Sequence, residues 1–326
     1  MREDLNCLAN FAVGITFILS GMAKLNDPRS FAYKIEEYLH LAASQLTRHV
    51  RYLLPYTLVL AVGIATLEVV LGVALLVHWQ RFWTLRALLL LTLFFSFLTL
   101  YTATSKRMNR CGCFGDALPL TPWQSFAKSG VLLVVLGGLC WQEQDTSTSL
   151  NGYSWVGAAL LLALGLGIYT LRHLPLLDFS PYKVGSDLRK LISEDTATNV
   201  HFRIWQRDQE VTQTLLAGNR LLVIAPSPTT ITKAGLQKLN TLIQQLQDEI
   251  QPVLITPVGQ GQEVAKALAI AHYTAHRQLL RDMLSAPWGF LLLQKGVVRY
   301  KGSKNNVGAT YRTLLQRQVA KAIKKL

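Results

Sequence analysis

At 326 residues the chain is long enough for two domains. Half of its residues are hydrophobic and its mean hydropathy is +0.26, a surplus concentrated in the first half, which argues against one water-soluble globule and for a membrane part followed by a soluble part. The net charge of +14 suits an anionic membrane face; with no recognition helix, RNP-like aromatic pair or zinc-finger spacing, nucleic acid is set aside as a partner.

Five apolar runs are long enough to cross a bilayer, which needs roughly 20 helical residues. They run from about Leu5 to Leu25, Leu53 to Trp79, Phe82 to Tyr101, Phe126 to Trp141 and Trp155 to Leu171, the fourth being the shortest. Trp79, Trp83, Trp123, Trp141 and Trp155 stand at run ends, where amphipathic rings favour the membrane interface. The first run is read as a retained span rather than a cleaved signal, because "MREDLN" is not clearly positive and four further spans follow. Between the first two runs, Phe31, Ile35, Tyr38 and Leu39 share one helical face with Lys34, Glu36 and Glu37 opposite. That pattern predicts an amphipathic helix on the bundle or the membrane surface.

"LPLLDFSPYKVGSD" reads as a proline-marked linker, dividing the chain into a helical bundle over 1–175 and a soluble domain over 176–326. Leu221–Ala225 reads as a buried strand, Ile231–Ile250 as a helix with Leu236, Leu239, Ile243 and Leu246 on one face, and Val253–Val258 as a strand. A helix over Glu263–His272, a hairpin turning at Lys295-Gly296 and a closing helix over Thr310–Ile323 complete the order. Strand, helix, strand, helix, hairpin, helix is the order of an α/β thioredoxin-like domain. Catalytic thioredoxin domains carry two cysteines at a helix N-terminus after the first central strand, where the orphan N–H groups favour a thiolate. Here that place holds "IAPSPTTITKAG", and no cysteine follows Cys140. Pro287 in "SAPWGF" stands about one residue before the usual place of the proline that lines such a site. The expectation is a domain that binds a protein partner or braces the bundle without dithiol chemistry.

Four cysteines are too few for a disulfide scaffold. Cys111 and Cys113, one residue apart in a basic turn after the third run, are the candidate redox pair. A disulfide between them closes a small strained ring that exchanges readily, Gly112 removes an opposing Cβ, and Lys106, Arg107 and Arg110 favour a thiolate. A soft-metal site and a packed turn of inert thiols are the other readings; without a companion Cys or His, two ligands leave zinc coordination incomplete, and no metal is assigned. Glu68 lies within the second run, where a carboxylate is costly and must face the bundle and a partner. Lys24, Lys128 and Arg86 are candidate partners, and the alternatives for Glu68 are a proton or quinone-headgroup contact and a structural ion pair. Ser20, Gly21 and Lys24 otherwise read as packing plus an interfacial anchor. His272 and His276 share a predicted helical face, too few ligands for a metal. Cys7 and Cys140 lie at span ends on one side, compatible with a link or with buried inert thiols.

"CGCFGDALPLTPWQSFAKSGVLL", "FILSGMAKLNDPRSFAYKIEEY" and the carboxylate in "TLEVVLG" resemble the MauE family of methylamine utilisation, within the wider DoxX-like group, over about residues 8–140. The resemblance implies a membrane protein supporting thiol–disulfide chemistry or the maturation of a partner, and forms with a fifth helix and a thioredoxin-like tail. A membrane quinone is the candidate electron acceptor. A non-catalytic membrane scaffold whose tail binds a partner is the rival reading.

Five spans put the Cys-Gly-Cys turn and the tail on the face opposite the amino terminus. Lys24, Arg29, Lys34, Arg48, Arg51, Lys106, Arg107 and Arg110 against Arg2, Arg81 and Arg86 would make that face cytoplasmic by the positive-inside rule. Disulfide chemistry argues for the periplasmic face of the inner membrane, the placement adopted here.

Overall fold

The computed structural model describes residues 2–45, 48–105, 121–142, 152–193, 202–207, 209–246 and 250–306. Two compact units divide the chain, Met1–Leu171 and Arg172–Leu326. Cys111, Cys113, their basic neighbours and the predicted helix over Thr310–Ile323 lie outside the described residues.

The first unit is a helical bundle: α1 (Arg2–Asn26), α2 (Pro28–Gln45), a 3-10 segment (Arg48–Tyr56), α3 (Thr57–Leu76), α4 (Arg81–Ser105), α5 (Pro122–Gln142) and α6 (Gly152–Arg172). Among the described residues, five helices are long and apolar enough to cross a membrane: Asn6–Asn26, His49–Leu76, Arg81–Thr104, Trp123–Gln142 and Gly152–Arg172. The chain is a multi-pass membrane protein. Outward-facing Leu90, Phe97, Val134, Leu161 and Leu162 are exposed, as expected of helices whose surroundings are lipid rather than water. Val13, Phe17, Leu71, Leu75, Leu85 and Leu136 form the main core between α1, α3, α4 and α5.

The tightest seam runs between α1 and α3. A Cβ on Gly14 would lie 3.1 Å from the Gly72 carbonyl, one on Gly72 2.7 Å from the Gly14 carbonyl, and one on Gly21 2.6 Å from the Ala65 carbonyl. Small residues let two membrane helices approach backbone to backbone, where dispersion rather than the hydrophobic effect holds them. The pairings 14 with 72 and 21 with 65 also make the helices antiparallel. The amphipathic helix α2 packs Phe31 and Ala32 against Ala61 of α3.

The second unit is an α/β sandwich. Its strands are β1 (Ile204–Gln206), β2 (Gln209–Glu210), β3 (Asn219–Ile224), β4 (Gln251–Pro257), β5 (Ala271–Ala275), β6 (Gly289–Gln294) and β7 (Val297–Ser303). They form one sheet in the order β2-β1-β5-β4-β3-β6-β7. The pairs β3–β4 and β4–β5 are parallel and the others antiparallel. Strand alternation sends Leu222, Ile224, Val253, Ile255, Leu291 and Leu293 to one face and Leu221, Val223, Leu254, Phe290 and Leu292 to the other. The first face is covered by α7 (Leu188–Ser193), α8 (Thr212–Leu216) and α11 (Arg277–Met283), the second by α9 (Lys233–Leu246) and α10 (Gln262–Leu268). A sheet buried on both faces needs such near-continuous apolar strands. Lys295 and Gly296 both have positive φ, 49° and 80°, as a two-residue hairpin turn requires.

Two expectations change. The helix predicted over Glu263–His272 stops at Leu268; Ala269 turns left-handed at φ 51°, and His272 belongs to strand β5 while His276 caps α11. The two histidines therefore share no helical face. The proline-marked segment is also more than a tether. Tyr182 is 1% exposed, Asp178 pairs with Lys301 of β7 at 2.8 Å, and the Gly185 N–H donates to the Val298 carbonyl at 2.7 Å.

Candidate functional site

A carboxylate and an ammonium meet inside the helical bundle. Glu68 and Lys24 are each 1% exposed, and Lys24 Nζ donates to Glu68 Oε2 at 2.7 Å and to Oε1 at 3.0 Å. The ammonium also donates to Ser20 Oγ at 2.6 Å, with the Ser20 carbonyl at 3.4 Å. Helix geometry explains the meeting. Side chains tilt toward the N-terminus of their own helix, so across an antiparallel pair Lys24 and Glu68 lean toward each other. The Gly21–Ala65 approach brings the two backbones close enough for that lean to close the gap.

Of the three cations considered for Glu68, the structure pairs it with Lys24. Arg86 instead donates to the Phe82 carbonyl at 3.1 Å with its guanidinium 3.3 Å from the Phe82 ring centroid. Lys128 lines a small cavity of about 30 Å³ beside the pair, together with Thr16, Ser20, Thr92, Phe95 and Ser129. That volume admits water, which needs some 10–15 Å³ and polar partners. Phe31 and Phe95 each stand with the ring centroid 5.5 Å from Lys24 Nζ, within reach of a cation–π attraction. Lys24 is thus no interfacial anchor: its charge is internal, and it drops out of the positive-inside count made above. Ser20, Thr92, Phe31 and Phe95 were not foreseen as parts of this site; Ser20, one turn before Lys24, was the one with a sequence signal.

The cavity relates to the Cys111–Cys113 segment through chain order. Phe95 lies ten residues before the end of α4 at Ser105, and Lys128 six after the start of α5 at Pro122, or about 15 Å and 9 Å along the helix axes. The Cys111–Cys113 segment joins those two ends. Cys7 is exposed and Cys140 half-buried, and both are free thiols; near them Asn6 donates to Gln142 at 2.7 Å, tying the start of α1 to the end of α5.

In the second unit, the segment after β3 forms a short 3-10 turn over Pro228–Thr230. The Ser227 N–H donates to the Pro287 carbonyl at 3.2 Å, so the "APSPTT" turn and the "SAPWGF" turn adjoin. His272 lies 2.8 Å from Thr256 Oγ1, whose hydroxyl donates to the Gln260 carbonyl at 2.7 Å. The hydroxyl proton being used there, the neutral imidazole carries its own proton on Nε2. Burial pushes the His272 pKa below its ordinary value, against a smaller opposing effect of the Gln260 backbone. Among the described residues no group of three His, Cys, Asp or Glu side chains is placed to hold a metal.

Residues 3–142 match the family model described as "Methylamine utilisation protein MauE". The matched span holds α1 to α5, the Lys24–Glu68 pair and the Cys-Gly-Cys sequence. The chain is also 26% identical over 160 residues to "Protein TlpB" of Flavobacterium psychrophilum, an alignment covering 47% of this chain and 41% of the relative. The chain therefore spans less than half the length of that curated relative. No solved structure matches. Over α1 to α5 the chain is similar to that family.

Proposed function

We propose that this protein is a membrane-embedded component of thiol–disulfide chemistry, with Cys111 and Cys113 as its redox pair. The observation that carries the reading is the MauE match over residues 3–142, which takes in the Cys-Gly-Cys turn and the buried polar centre of the same bundle. In the oxidised state a thiolate of a partner protein attacks one sulfur of the Cys111–Cys113 disulfide, forming a mixed disulfide. A second partner thiolate then displaces the chain's sulfur. The partner loses two electrons and two protons, and the pair gains them as two thiols. Return of Cys111 and Cys113 to the disulfide releases the same two electrons and two protons, which a membrane quinone would accept. Lys24 and Glu68 lock α1 against α3 and line a small polar cavity, large enough for water, within the bundle; Glu68 serves as the paired intramembrane carboxylate of that centre.

The second unit acts as a thioredoxin-like domain of DoxX/MauE-type proteins, binding a protein partner without a dithiol. Its support is the parallel β3–α9–β4 unit, the antiparallel β6–β7 hairpin beside β3, and the cysteine-free turn facing Pro287. The turn and this domain lie on the periplasmic side of the inner membrane, where disulfides persist; the internal location of Lys24 reduces the charge count that opposes this. Trapping tests the function. Cys113→Ser and Cys111→Ser variants, expressed at native level, should accumulate a reductant-sensitive adduct with a partner, one more than the other. Absence of any adduct from both variants would favour the scaffold reading, in which the tail binds and the cysteines are inert.

A further inference from the structure

A second, larger cavity lies beside the ion pair. Between α2, α3 and α4 a pocket of about 350 Å³ is lined by Phe31, Ile35, Tyr38, Ile64, Phe95 and Leu98. Its size is at the small end of the roughly 300–1,000 Å³ found for organic ligands, which suits one hydrocarbon chain better than two. Among the described residues of the lining Lys34 is the charged one, reaching the pocket although the sequence pattern put it opposite Phe31, Ile35 and Tyr38. Its side chain is 20% exposed, and its ion pair to Glu37 is long at 3.8 Å. The lining also includes Leu53 and Phe94, exposed at 45% and 50%, so the rim is apolar where the helices meet their surroundings.

We infer that this pocket holds one acyl chain of an anionic membrane phospholipid, with the headgroup phosphate at Lys34. Each half of the assignment has its own support. The apolar walls select a chain and reject a polar solute. Lys34, carried on α2, which is not one of the five membrane-spanning candidates, supplies the positive charge beside the apolar walls, as basic residues at membrane surfaces do for anionic headgroups. The source is the bilayer, because the exposed rim is itself apolar. Occupancy has a consequence inside the bundle. Phe31 and Phe95 wall both this pocket and the Lys24 ammonium, each ring 5.5 Å from Nζ. A chain packed on those rings keeps that side of the Lys24–Glu68 pair dry and leaves the small polar cavity as its hydrated side.

Native mass spectrometry of the full chain released from detergent tests the assignment. The probes are dioleoyl phosphatidylglycerol, dioleoyl phosphatidylcholine and oleic acid, each added alone and in competition. Wild type should retain one phosphatidylglycerol per chain with a preference of roughly fivefold over phosphatidylcholine, the worth of about one basic residue at a headgroup. Lys34→Glu should abolish the preference while the chain is still retained. Leu98→Trp and Ala42→Trp fill the pocket from different helices, and each should lose the retained lipid; the variant that melts with wild type is the one compared. Equal retention by wild type and a well-folded pocket-filled variant would overturn the inference. So would equal retention of the two phospholipids, or oleic acid displacing phosphatidylglycerol at equal concentration.

Discussion

Removing either member of the Lys24–Glu68 pair should cost more than any other single change in the bundle. Glu68→Leu leaves an ammonium 1% exposed, donating to Ser20 without a counter-charge. Lys24→Leu leaves a buried carboxylate without its counter-charge. At an effective dielectric of 20, two unit charges near 2.8 Å attract by about 6 kcal/mol, and taking both out of water offsets most of that. Breaking a buried pair from one side typically costs about 3–5 kcal/mol, whereas replacing both members by apolar groups is often near neutral. The expected pattern follows: each single variant loses about 3–5 kcal/mol, and Lys24→Leu/Glu68→Leu loses less than either. Reversible unfolding in mixed micelles, with helicity read by circular dichroism, gives all four corners of the cycle. Single losses below about 1 kcal/mol, or a double variant equal to the sum of the singles, would refute the idea that the pair is a coupled buried contact.

Three further outcomes are expected. Gly21→Ala places a Cβ 2.6 Å from the Ala65 carbonyl and should cost about 1–3 kcal/mol as an overpacked seam, while Gly63→Ala, whose Cβ meets nothing within 4 Å, should be neutral or slightly stabilising in the same unfolding assay. Because the folded pKa of His272 lies below its ordinary 6.5, the unfolded chain binds the extra proton; stability is full above pH 6.5 and falls as pH drops through that value toward the folded pKa. His272→Asn should flatten that slope in melting curves taken between pH 7.5 and 5, a range chosen to bracket the ordinary value, and an unchanged slope would exclude His272 as its source. A membrane-impermeant maleimide should label reduced Cys111 or Cys113 in cells with opened outer membranes; labelling only after inner-membrane lysis would put the turn in the cytosol.

The membrane half was readable because a span must satisfy all of its backbone groups internally, which forces a long apolar run for each helix. The amphipathic helix was readable for a related reason: Phe31, Ile35 and Tyr38 keep a 3.6-residue period. Lys24 was legible as one of three candidate partners of Glu68, but it was also read as an interfacial anchor, because its position near the end of an apolar run is where interfacial lysines stand. Its burial depends on the Gly21–Ala65 approach, which is set by a helix forty residues away in the chain. Strand β5 was missed because Ala269, rather than a glycine, ends α10 in the left-handed region, so no turn residue separates "AKALAI" from "AHYTA". The β1–β2 hairpin escaped because its strands are only three and two residues long, and its turn uses Arg207 at φ 45°. Neither cavity has a sequence signature, since each is bounded by side chains from three or more helices.

The state of the two cysteines tests the central claim most directly. Intact membranes are treated with one alkylating reagent, reduced, and treated with a second of different mass, and the peptide carrying Cys111 and Cys113 is read by mass spectrometry. Both cysteines are expected to carry the second label after mild oxidant and the first after mild reductant, with no denaturation needed. Thiols that stay reduced under oxidant, and take up label only once the protein is denatured, would contradict it.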